Sequence, residues 1–124
     1  MCKIAMICEK DQEERERLAR ILIKHRYLVV ECDSRQDGLG AMNFQAPDVV
    51  ILHLEPDENI PVETTNRLKE ILGALKESLL FFTSRKPGLT REKTHALGFR
   101  PDGIIPLSST NAAIEEAFQA ARAL

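Results

Sequence analysis

The chain has 124 residues, a single-domain length that can bury a core without disulfide or metal staples. Its 44% hydrophobic and 29% charged residues are ordinary for a globular protein, and a formal net charge of −2 excludes a global basic field for nucleic acid. Three cysteines (Cys2, Cys8 and Cys32) are too sparse and too odd in number for a disulfide framework and fit a reducing cytoplasm, while "MCKIAMICEKD" turns charged too soon for a signal peptide or a membrane span.

"KIAMIC" (3–8) is a short apolar run flanked by charge and reads as a buried strand. Asp11 and Glu14 have capping-box spacing, and Leu18, Ile21, Leu22 and His25 form the stripe of an amphipathic helix. On that helix Glu13 and Arg17 make an i,i+4 pair. "YLVVEC" (27–32) is the second strand. Ser34 with Asp37 opens a weak helix running to about Ala46, weak because Gly38 and Gly40 each cost about 1 kcal/mol relative to alanine. Pro47 stops it. "DVVILHL" (48–54) is the third strand, and "EPDENIP" (55–61) is a loop made of turn residues. Leu68, Ile71, Leu72 and Leu75 form the next helical stripe, and "SLLFFTS" (78–84) is the fourth strand. "RKPG" breaks the chain, and a short polar helix then ends at Gly98. "DGIIP" (102–106) is the fifth strand. Ser108 is the expected cap of a last helix striped by Ile114, Ala117, Phe118 and Ala121.

Five strands alternating with five helices predict a doubly wound α/β domain, with a parallel sheet covered on both faces. Sites in such sheets lie beyond the carboxyl ends of the strands. That rule selects Cys8 and Glu9, Cys32 and Asp33, His53, Thr83 and Ser84, and Ile105 and Pro106.

Several stretches, in order and with matching spacing, resemble the receiver domain of bacterial response regulators. "PDVVILHLEP" resembles the family's "PDLVLLDLxMP", "HRYLVVECDSRQDGLGAM" its "GYxVxxAxDGxEAL", "LLFFTS" its "PVIxLTA", and "LGFRPDGIIPLSSTNAAI" its "AGADDYLxKPFxxEEL". The resemblance covers nearly the whole chain. It implies one (βα)5 domain over residues 1–124 with strand order 2-1-3-4-5. It also implies a phosphoryl-transfer site. There an aspartate ending strand three accepts the phosphoryl group, and carboxylates after strand one help to hold Mg²⁺. A Ser or Thr after strand four and a Lys after strand five meet the phosphoryl oxygens. This chain departs from that pattern. His53 stands in the phosphoacceptor place, Cys8–Glu9 replaces the acidic pair, and Ile105 stands where the lysine belongs. Thr83 alone matches. The aromatic of strand five is replaced at Asp102 or Gly103, and the loop after strand three has its proline one place early, at Pro56, and lacks the usual glycine. Mg²⁺ needs several hard oxygen ligands, and Glu9 is one carboxylate where the family supplies three; Glu55 or Asp57 would have to swing in, and nothing in the sequence requires it.

The expectation is a degenerate receiver that is no enzyme, needs no cofactor, and serves as a phosphorylation-independent protein-interaction module in cytoplasmic two-component signalling. His53 keeps three readings: a polar filler of the pocket floor, a proton switch beside Glu9, or a metal ligand with Cys8, Cys32 and Glu9. The last two make the rim a metal, redox or pH sensor, and an atypical phosphoacceptor is the remaining alternative. Cys8 and Cys32 are otherwise small buried apolar residues. Between 85 and 100 lie Arg85, Lys86, Arg91, Lys93 and Arg100 against Glu92 alone. That basic segment is either a solvated face or a surface for a protein partner or a second copy, through the fourth helix, fifth strand and fifth helix. No aromatic platform accompanies it, so nucleic acid is not an expected partner, and with no apolar span a membrane is not one either.

Overall fold

The computed structural model describes residues 3–42, 46–75 and 77–124. The elements run β1 (Lys3–Cys8), α1 (Gln12–Lys24), β2 (Tyr27–Cys32), α2 (Arg35–Met42), β3 (Val49–His53), α3 (Val62–Ala74), β4 (Leu79–Ser84), α4 (Arg91–Ala96), β5 (Gly103–Pro106) and α5 (Asn111–Ala120). All strand pairs are parallel and the order is β2-β1-β3-β4-β5, as expected. Cys2, and the place where the second predicted helix would continue past Met42, lie outside the described residues.

Alternation along the strands divides the interior into two cores. Ala5, Ile7, Val49, Ile51, Phe81 and Ile105 face α1 and α5, whose Leu18, Leu22, Ile114 and Phe118 fill that side. Met6, Cys8, Val50, Leu52, Leu80 and Phe82 face the opposite way, onto Leu39, Met42, Leu68 and Phe99. An edge-to-face ring pair anchors each core, Phe81 with Phe118 (centroids 5.0 Å apart) and Phe82 with Phe99 (5.6 Å).

Local chemistry sets the element ends. The Asp11 carboxylate accepts the Glu14 amide (3.0 Å) at the start of α1, and Ser34 Oγ accepts the Asp37 amide (3.1 Å) at α2. Gly98 ends the fourth helical segment at φ +91°, where the Phe99 amide reaches back to the Thr94 carbonyl. Gly38 weakens α2 as a helix but is needed there: a Cβ would lie 2.1 Å from Cys8 Sγ, so only glycine lets α2 sit this close to β1.

Three local expectations are corrected. Thr110, not Ser108, caps α5, its Oγ1 accepting the Ala113 amide at 3.1 Å. The helix starts later because Arg17 holds the preceding loop open as a turn, donating to the carbonyls of Leu107 (2.8 Å) and Ser109 and to Asn111 Oδ1 (2.7 Å). That use of Arg17 also overrides the expected Glu13 pairing. Its carboxylate neighbour is Glu14, one turn away at i,i+3 and 3.2 Å. His25 caps the C-terminus of α1, half-buried, and does not join the apolar stripe.

Candidate functional site

The carboxyl edge of the sheet gathers part of the expected rim and scatters the rest. His53 is in register with Thr83, and Thr83 with Ile105. Glu9 follows β1 on the same face, so Glu9, His53, Thr83 and Ile105 form a row across four adjacent strands. The parallel register forces this arrangement, since partners on neighbouring strands share a face. Cys8 and Cys32 are register partners too, but they lie on the other face, in the second core. Among the described residues no group of three or more His, Cys, Asp or Glu side chains is placed to hold a metal ion. Burial, with charge repulsion between neighbours, raises both thiols above their ordinary range, so they are protonated apolar filling.

His53 sits between two carboxylates. Nδ1 is 3.1 Å from Glu9 Oε1, and Nε2 is 2.8 Å from Glu55 Oε1. Neither Nδ1 nor Glu9 Oε1 has an aligned hydrogen-bond partner among the described residues, so the Glu9 contact is one of charge. Glu9 is only 2% exposed, whereas the His53 side chain keeps 22% of its surface. Contact with Glu9 is the largest influence on the imidazole. Burial opposes it, Glu55 adds to it, and the net effect raises His53 above its ordinary 6.5.

Glu55 is the residue the sequence did not single out as central. It turns toward the loop after β4, where Oε1 accepts the Arg85 amide (2.7 Å) and Oε2 the Lys86 amide (3.0 Å). Ser84 Oγ lies 3.2 Å from Oε2. Burial pushes this carboxyl up, but the two amides, His53 and Ser84 together outweigh it and hold Glu55 below its ordinary value. Arg35 is a second unforeseen member. It donates to the His53 carbonyl (3.0 Å) and pairs with Glu58, whose other oxygen accepts the Glu55 amide at 3.1 Å. The only signal for Glu55 was the cluster of acids in "EPDE", which reads equally as a solvated turn, and nothing in the sequence marked Arg35.

Thr83 is fully buried, and its Oγ1 has no hydrogen-bond partner among the described residues. Ile105, in the lysine place, is 1% exposed and packs into the first core with Phe81 and Phe118. Asp102, in the aromatic place, uses its carboxylate to accept the Leu80 amide (2.8 Å).

The basic segment is partly committed. Arg85 pairs with Asp11, Lys86 Nζ with Asp57 (2.8 Å), and Arg91 donates to the carbonyls of Pro101 (2.8 Å) and Asp102 (3.3 Å). Lys93 and Arg100 are exposed. An open cavity of about 590 Å³ lies over the Glu9–His53 end of the row, lined by Glu9, Lys10, Asp11, His53, Glu55, Arg85 and Lys86. Among the described residues no helix is long and apolar enough to cross a membrane.

No protein-family model matches the chain, and no curated protein matches it in sequence. Solved structures do match in shape. A chemotaxis response regulator of Vibrio cholerae superposes with a TM-score of 0.75 at 14% identity, covering 98% of this chain and 99% of that one. The N-terminal domain of a three-domain response regulator/sensory box/GGDEF protein from Carboxydothermus hydrogenoformans gives 0.73 at 20% identity, over 98% and 95%. An orphan response regulator of H. pylori gives 0.71 at 17%, over 97% of each chain. With the sheet order, these likenesses establish that the chain has the fold of the response-regulator receiver domain.

Proposed function

We propose that the chain is a receiver-type signalling module that works without phosphoryl transfer and acts in the cytoplasm by binding a protein partner. One observation carries this reading: at the place where a receiver would present its acceptor carboxylate, His53 has both ring nitrogens against carboxylates. An imidazole so placed is drawn toward its charged form, in which neither ring nitrogen keeps a lone pair for attack on phosphorus. The surroundings agree. Ile105 brings no positive charge, and only Glu9 remains of the cation-binding set, so the two positive charges that a receiver sets against the phosphoryl oxygens, the strand-five lysine and the bound cation, are not provided for. The scaffold then offers a fixed surface, and the exposed Lys93 and Arg100 on the side of α4 and β5 suit an acidic face of a partner or of a second copy.

Intact-mass measurement after incubation with acetyl phosphate and Mg²⁺ tests the reading. The mass should stay that of the unmodified chain. A phosphorylated species, mapped to His53 or to any residue of the row, would overturn it and favour the atypical phosphoacceptor.

A second reading has its own support. The raised titration of His53 between Glu9 and Glu55 favours a proton-responsive site over a metal or redox one, because the cysteines face the other core.

A further inference from the structure

Glu55 has an unusual set of partners for a loop carboxylate. The amides of Arg85 and Lys86, consecutive in the chain, converge on its two oxygens at 2.7 and 3.0 Å. Successive amides aimed at one point make an anion-binding nest. Their convergence is a property of the loop, because Pro87 and Gly88, the latter at φ +103°, fold the chain back directly after them. Ser84 Oγ completes the concavity, 3.2 Å from Oε2 and 3.0 Å from the Lys86 carbonyl, with one proton to share between them. His53 Nε2 closes the fourth side. The anion's own loop is anchored in turn: the Glu55 amide is held by Glu58, Glu58 by Arg35, and Lys86 reaches back to Asp57.

We propose that Glu55 is a built-in anion filling a carboxylate-binding cradle made by Ser84, Arg85 and Lys86, and that it thereby latches the loop between β4 and α4. Without Glu55 the same cradle takes a small carboxylate from solution. The latch gives the loop one position with no added group, and with it the start of α4 and the approach to Lys93. Its significance for partner binding rests on the phosphorylation-independent reading above; its geometry does not.

The test is ¹⁵N–¹H spectroscopy and amide exchange on the full chain and on Glu55→Ala, with sodium acetate as the probe and sodium chloride holding ionic strength constant. In the unsubstituted chain the Arg85 and Lys86 amides should resonate downfield and exchange slowly. In Glu55→Ala both should move upfield and exchange about tenfold faster or more. Acetate should then restore their positions saturably in the variant and leave the unsubstituted chain unchanged. Amides that do not respond to Glu55→Ala, or that respond to acetate no more than to chloride, overturn the proposal. Glu55→Gln keeps an acceptor of the same shape without the charge, and intermediate exchange is expected there. Exchange equal to that of the unsubstituted chain would overturn the role of the anion. An acetate-insensitive Glu55→Ala sinks the cradle and leaves the phosphorylation-independent reading standing, whereas a phosphorylated row sinks that reading and leaves the amide result intact.

Discussion

At the scale of single residues, His53 is the member of the site whose charge is sensitive to pH. Three groups face it: Glu9 from the end of β1, Glu55 from its own loop, and more distantly Glu58. Its titration in the fold is raised above the ordinary 6.5, so its stabilising contribution is fully present below about that pH and is lost as pH rises through the folded value. Chemical denaturation of the unsubstituted chain and of His53→Gln from pH 5.5 to 9 should therefore give curves that converge. The variant should be less stable by about 1–3 kcal/mol at the acid end, where it leaves the buried Glu9 without its cation, and the gap should close toward the alkaline end. Parallel curves would show that the imidazole is neutral filler.

At the scale of elements, α2 illustrates how packing overrides propensity. Alanine is better than glycine in a helix by about 1 kcal/mol, so Gly38→Ala would stabilise an isolated helix. In the fold the new Cβ would meet the buried Cys8 Sγ at 2.1 Å, so the sulfur or the helix must shift. Gly38→Ala should lower stability by about 1–3 kcal/mol. Cys8→Ala removes the obstructing sulfur, so the double variant should recover a good part of that loss; a thermal-melting double-mutant cycle reads the coupling. Additive losses would place the strain elsewhere. The same lesson holds at α5, where a long-range claim by Arg17 on the carbonyls of Leu107 and Ser109 moved the helix start from Ser108 to Thr110.

At the scale of the whole molecule, the first core joins the two ends of the chain. Phe118 of α5 is fully buried against Phe81 of the fourth strand, and Tyr27 donates its hydroxyl proton to the Ala123 carbonyl. Phe118→Ala should cost about 3–5 kcal/mol, a large share of the roughly 5–15 kcal/mol typical of a domain. Urea denaturation should show a lower midpoint with an unchanged slope, because α5 stays part of one cooperative unit. A second transition would mean that α5 unfolds by itself.

The fold was legible in the chain because its signals are local and repeated: apolar runs of strand length, amphipathic stripes, and turn residues between them. Alternation along a strand turns neighbouring residues to opposite faces, and Cys8 and Glu9 obey it. His53, Thr83 and Ile105 could be placed at strand ends for the same reason. What the sequence could not decide was which charge meets which. Glu55 reads as one acid among several in "EPDENIP", and nothing near it announces that it will turn to amides thirty residues on. Arg35 and Arg17 read as surface charges on their helices, yet one clamps the His53 carbonyl and the other the loop before α5. Such partners depend on side-chain directions and on loop curvature at three strand ends at once. Those are set only when the sheet closes its register and packs both faces.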